Sequence, residues 1–297
     1  MGRMKIMDQV TSAETSDLGW KSLIRVGGVA ALIAGVLFRR NIAAEIGLFS
    51  QHTSPVTVSN WFALLQSNRL LGLAYLNIFD IVNYALVGLM FLALYAVLKP
   101  TNKSYMAIAT ALAFLGIAVY FASNTAFSML SLSDQYAAAT TEAERTMLLA
   151  AGHAMLAINR FSSPGAHPGT GGYISLFLIA VAGMITSFVM LRSDVFNRAT
   201  AYVGILANAF DLAYCIAFVF LPTVDSELLA IIFIPAAGLF LMIWHIMVGW
   251  RLYQLGKKHR LTKHALDQLD SGRLISFVSG CSIILSNQRY PVPPTGR

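Results

Sequence analysis

The chain has 297 residues, of which 12% are charged and 57% hydrophobic, and its mean hydropathy is +0.64. A soluble domain carries about 25% charged residues. The deficit excludes a disordered chain, a coiled coil, a collagen-like fibre and a disulfide scaffold. It also argues against a water-soluble enzyme, because too few polar residues remain to cover a surface of this size. The formal net charge of +7 fits either nucleic acid or the positive-inside rule, so its placement decides. Two cysteines, Cys215 and Cys281, give neither a disulfide framework nor a CxxC or Cys/His metal motif.

Residues 1–19 read as a polar amino-terminal segment, followed over residues 20–256 by an all-α, polytopic membrane bundle of about six transmembrane helices. The first apolar run, Val26–Phe38, has only 13 residues, about 20 Å of helix against the roughly 30 Å hydrocarbon layer. A cleaved signal peptide is the alternative. The polar residues before the run, and Arg39-Arg40 in place of a small-residue cleavage site, favour a helix extended to residues 23–49. The further spans are expected at residues 70–98, 106–132, 172–191, 200–221 and 228–250. Pro235 marks a kink in the last. Residues 257–297 form a basic tail in which Leu274–Leu285 is too short to span and PVPPTGR is expected to be disordered.

The loops differ in length. The connections at Lys99–Tyr105 and Arg192–Ala199 are short. Ser50–Arg69 carries Pro55 and an amphipathic stretch around Trp61–Leu65. In the long loop Ser133–Gly171, Thr141 and Glu144 form a capping-box pair that predicts a helix running to about Ile158. Its apolar face is read as Met147, Ala151, Met155 and Ile158, suited to the bilayer surface or the top of the bundle. SSPGAHPGTGG, residues 162–172, reads as a hinge.

Sixteen of the 21 Lys and Arg residues fall on one side of these spans, which predicts both termini in the cytoplasm. Trp20, Trp61 and Trp250 stand near proposed span ends, where an interfacial belt places them. The basic excess is therefore topological, membrane lipid is the expected surrounding partner, and no nucleic-acid partner is expected. Protein partners are not legible in the sequence.

Ionisable residues within spans are costly and need partners. Asp80 stands ten residues after Leu70, read as mid-membrane, with Asn77 and Tyr84 on the same helix face and Asn83 flanking it. Asn208 and Asp211 repeat the spacing, and Asn77-Ile-Phe-Asp80 matches Asn208-Ala-Phe-Asp211 at an offset of 131 residues. That match leaves open two inverted three-helix halves. Gly27, Ala31 and Gly35 form a row that admits a close neighbour, and Arg39 continues it, turned about 40° from Gly35. The expected site is a buried cluster in which Arg39 and Arg40 neutralise Asp80 and Asp211, with Asn41, Glu45, Asn77 and Asn208 completing hydrogen bonds. The competing arrangement ends the helix at Phe38 and leaves both arginines among headgroups.

No HExxH, GxSxG or phosphate-binding glycine motif is present. His245 stands alone among the spans and reads as a packing residue. His153, His167, Glu142 and Glu144 lack the spacing of a metal site. Neither a metal nor a cofactor is expected, and the chain reads as a non-enzyme. Three stretches, RVGGVAALIAGVLFRRN (25–41), YAAATTEAERTMLLAAGHAMLA (136–157) and FLIAVAGMITSFVMLRSDVFNRATAYVGILAN (177–208), resemble a prokaryotic family of multi-pass membrane proteins catalogued as a domain of unknown function. The resemblance spans roughly residues 20–256 and implies a six-to-seven-helix domain of the prokaryotic cell membrane, with no activity or catalytic residue to carry over. Two function classes remain. One is a carrier or channel-like protein moving a small solute, ion or proton through the aspartate–arginine cluster. The other is a structural or partner-binding component in which the same charges only hold the bundle together.

Overall fold

The computed structural model describes residues 20–37, 55–158, 169–220, 233 and 235–257. Regular structure among them is entirely helical: α1 (Trp20–Leu37), α2 (Val58–Ser67), α3 (Arg69–Tyr75), α4 (Ile78–Leu98), α5 (Lys103–Ser123), α6 (Ala126–Ala138), α7 (Glu142–Ile158), α8 (Thr170–Leu191), α9 (Arg198–Phe220) and α10 (Pro235–Lys257). Six helical stretches are long and apolar enough to cross a membrane: α1, α4, α5 with α6, α8, α9 and α10. At about 1.5 Å per residue, 21 to 23 residues reach across the hydrocarbon layer. Large apolar side chains remain on the outside of these helices, among them Val82, Ile108, Leu115, Phe188 and Ile216. Such helices are stable where the surrounding medium is lipid. This is a multi-pass membrane protein.

Asparagines punctuate the chain. Asn68 accepts a hydrogen bond from Leu71 N at 3.0 Å, Asn102 from Tyr105 N at 3.0 Å, and Asn124 from Ala126 N at 3.1 Å. Each side-chain oxygen satisfies a donor at a helix start that the backbone ladder leaves open. Asn77 acts through its backbone: at φ 62°, ψ 34° it is left-handed, a conformation that asparagine tolerates better than most residues. Two expected spans are therefore shorter than their apolar runs. The run from Leu70 breaks at Leu76–Asn77, and the run to Leu132 breaks at Asn124–Thr125.

The pieces cut off by these breaks join a second body. α2, α3, α6 and α7 pack around Trp61, Phe62, Leu65, Ala126, Met129 and Leu156, forming a cap at one end of the bundle. Ser133 Oγ donates to Phe62 O at 3.0 Å, Gln66 Nε2 donates to Ser133 O at 3.1 Å, and Arg69 pairs with Asp134 at 2.8 Å. Trp61 is a cap core residue, 2% exposed, and not a member of an interfacial belt. The capping box forms: Thr141 Oγ1 accepts from Glu144 N, while Glu144 Oε2 accepts from Thr141 N and Thr140 N. Those donors hold the Glu144 carboxyl below its ordinary pKa, the Thr141 backbone contributing most. α7 is helical through Ile158, the last residue described there, but it buries Leu148, Gly152 and Leu156. Met147 and Ile158 point outward, because Gly152 seats against Val58 and Phe62 of α2 and so turns the neighbouring row inward.

In the bundle, α5 lies along α8, α8 along α9 and α4 along α5. A side chain at Gly27 would overlap Ala93 of α4, and one at Gly28 would overlap the backbone of Tyr253 in α10. Gly35 faces Met242, His245 and Ile246. The small-residue row of α1 thus seats that helix between α4 and α10, as its spacing predicts. The largest apolar core, around Phe91, Leu94, Leu98, Met106, Met190, Trp244 and Leu252, fills the bundle toward the end opposite the cap. There Lys99 Nζ lies 3.9 Å over the Trp20 ring, tying α1 to the α4–α5 turn. Pro235 is the first residue of the described part of α10 and Phe233 just before it is also helical, so the expected kink falls at the edge of the described residues. The expected tail and most of the glycine-proline hinge lie outside the described residues.

Candidate functional site: an acidic locus beneath the cap

The break at Asn77 resets the position of Asp80. Instead of standing ten residues into a spanning helix, Asp80 occupies the first turn of α4, where exposed N–H groups and the helix dipole favour a carboxylate. The α5 end of the bundle meets it there. Tyr120 Oη donates toward Asp80 Oδ2 at 3.5 Å and toward Asn77 O at 3.4 Å, and Asn124 Nδ2 donates to Tyr120 Oη at 3.5 Å. One turn further along α4, the Tyr84 ring packs on that of Tyr120, with centroids 4.2 Å apart.

Asp211 comes from α9 and is buried, as are Asn208, Tyr214 and Cys215 on the same helix. Asn208 Nδ2 donates to Gly204 O at 2.6 Å, and its amide fills the notch left by Gly183 of α8. Both aspartates lie within electrostatic range of Tyr84. The hydroxyl of Ser175, a fully buried residue of α8, faces that of Tyr84 without reaching good hydrogen-bond geometry. Between α8 and α9 a polar stripe continues away from the cap. Ser187 Oγ and Trp244 Nε1 both approach Gly204, and among the described residues neither has a hydrogen-bond partner. Buried polar atoms of this kind are uncommon and costly.

Of the expected cluster, Asn77, Asp80, Asn208 and Asp211 are described; Arg39, Arg40, Asn41 and Glu45 lie outside the described residues. Asn77 and Asn208 do not play equivalent parts. Asn77 is the left-handed residue before α4, while Asn208 is interior to α9, so the two Asn-x-Phe-Asp strings have different local structures. Tyr120, Asn124 and Ser175 were not singled out by sequence; their only signal was polarity within apolar runs. Asn83 is buried, and its Oδ1 has no partner among the described residues. His245 is buried, with Nδ1 2.7 Å from Leu241 O and its ring edge-on to Trp244, as a packing residue would be.

A family model described as Domain of unknown function (DUF4386) matches residues 26–250. The chain belongs to this family. The DUF4386 match begins in α1 and ends in α10, so it takes in the whole bundle, the cap and the acidic locus. No curated protein and no solved structure matches the chain.

Proposed function

We propose that this DUF4386 protein is transporter-like and passes a small solute, ion or proton through the locus formed by Asp80, Tyr84 and Asp211. One observation carries the reading: two acids 131 positions apart both lie within candidate membrane spans, Asp80 reached by the Tyr120 hydroxyl at 3.5 Å and Asp211 buried in α9. Ionisable side chains within a bundle are expensive, and such groups commonly mark ion or proton pathways. Asp80 and Asp211 supply oxygens that hold a proton or a cation, and the Tyr120 hydroxyl, which donates toward Asp80 Oδ2, is the group that reaches an acid directly. Arg39 and Arg40, which follow α1 in sequence, are the proposed counter-charges. In this reading the cap faces the outside of a cell membrane and both termini lie in the cytoplasm, as the Lys and Arg distribution favours. The reading assigns no catalysis.

A structural role is the second reading, favoured by the tight seating of the stripe: Asn208 against Gly183, and Ser187 with Trp244 against Gly204. Groups packed so closely fix helix register without passing anything. Wild type, Asp80→Asn and Asp211→Asn, purified and compared for thermal stability across pH and a panel of cations and small solutes, separate the two. The transport reading expects a solute or ion that stabilises wild type and loses that effect in both variants. Variants that only lower stability, with no ligand acting on wild type selectively, overturn it.

A further inference from the structure

We infer that the cap turns on the bundle as one body, pivoting on two paired joints, Asn77 and Asn124–Thr125, that meet at the acidic locus. The inference rests on the proposed function only for what the movement would uncover; the movement itself stands or falls separately.

Three observations carry it. First, the two bodies have separate apolar cores: Phe62, Leu65 and Met129 centre one, while Phe91, Met190 and Trp244 centre the other. Second, the chain crosses from cap to bundle at breaks in otherwise helical runs. α3 gives way to α4 through a left-handed asparagine, and α5 gives way to α6 through two non-helical residues. A residue or two outside helical geometry suffices to absorb a hinge rotation between rigid helices. Third, the two joints are adjacent, tied to each other through Tyr120, whose hydroxyl reaches Asn77 O and receives Asn124 Nδ2. All of these contacts, including that to Asp80 Oδ2, measure 3.4 to 3.5 Å. Ordinary hydrogen bonds measure about 2.5–3.0 Å for O–H···O and about 2.7–3.2 Å for N–H···O. The hydrogen bonds of Tyr120 that link the two joints are therefore long.

The Ile158 carbonyl, at the end of the described part of α7, lies against Gly169 just before α8; residues 159–168 lie outside the described residues. Rotation about the joint pair would swing α2, α3, α6 and α7 together while leaving the α5–α8 and α8–α9 packing in place. Asp80 and Tyr120, at the pivot, would change their surroundings most.

Spin-label distances in lipid nanodiscs test this directly. In a background of Cys215→Ala and Cys281→Ala, one pair lies within the cap, Ser59→Cys with Met147→Cys. The other joins cap to bundle, Met147→Cys with Phe220→Cys; all three positions are exposed. The expected result is a narrow single distance within the cap and a broad or two-population distribution from cap to bundle. Asn77→Ala, which disfavours the left-handed joint, shifts the cap-to-bundle distribution and leaves the within-cap distance unchanged. Equal, narrow distributions for both pairs would overturn the pivot, because the cap would then be fixed. Equally broad distributions would overturn it too, because the cap would not be one body. Neither measurement uses a transported solute, so failure of the pivot is distinguishable from failure of the transport reading.

Discussion

Cap and bundle both bury large side chains, but their glycines differ: Gly152 in the cap meets the side chains of Val58 and Phe62, whereas Gly28 and Gly116 in the bundle meet the backbones of Tyr253 and Ser175 on neighbouring helices. Trp61, Phe62, Leu65 and Met129 are each 2% exposed or less in the cap, the arrangement that water drives by excluding apolar surface. In the bundle, Gly27 and Gly28 seat α1, Gly116 admits α8 against α5, and Gly183 and Gly204 admit polar groups between α8, α9 and α10. Lipid supplies little hydrophobic drive between helices, so close approach and packing must hold them. The difference teaches that the two bodies are built differently, and the acidic locus lies at the border between them.

The largest expected effect separates the bodies. Phe62 is fully buried in the cap, and removing a buried aromatic costs about 3–5 kcal/mol. Phe62→Ala should abolish amide-exchange protection in α2, α6 and α7 while α4, α8 and α9 keep theirs. Equal loss in both would break the comparison. A smaller effect sharpens the other side. A Cβ at Gly28 would press on backbone atoms of Tyr253 and Gly249, which cannot move away cheaply, so Gly28→Ala should cost about 1–3 kcal/mol in thermal unfolding. At Gly88 the nearest atoms, on Ile117 and Phe114, would stand at 3.4 Å, and Gly88→Ala should fall within about 0.5 kcal/mol of wild type.

The smallest effect is local to the cap. Glu144 has a folded pKa below its ordinary value of 4.5. Its contribution is therefore complete above that ordinary value and is lost as pH falls through the depressed one. Amide exchange in the first turn of α7 should quicken over that acid range. Glu144→Gln should remove the pH dependence.

Much of this arrangement was legible. Apolar runs of spanning length, the Gly27–Ala31–Gly35 row and the Thr141–Glu144 capping box all act through local spacing, which a sequence displays directly. The helix ends inside apolar runs were not. Leu70–Tyr75 and Ala126–Leu132 are apolar enough to continue a span, and only Asn77 and Asn124 mark the breaks. An asparagine inside an apolar run reads equally as a buried polar group or as a helix terminus. The α7 face was misread because Gly152, which contributes no apolar surface of its own, sets which row turns inward. At the acidic locus, Asp80, Tyr84 and Asp211 stood out by rarity, whereas Tyr120 and Ser175 join them only through the packing of α5 and α8, which no local pattern encodes.

The central claim is that Asp80 and Asp211 share one locus through Tyr84. A double-mutant cycle of Asp80→Asn and Asp211→Asn on unfolding free energy, in one detergent at one pH, tests it most directly. The account expects non-additivity of at least about 0.5 kcal/mol, in the range of about 0.5–3 kcal/mol for residues that share a network, and a smaller value when the cycle is repeated on Tyr84→Phe. Effects that simply add, within about 0.3 kcal/mol on both backgrounds, would contradict it.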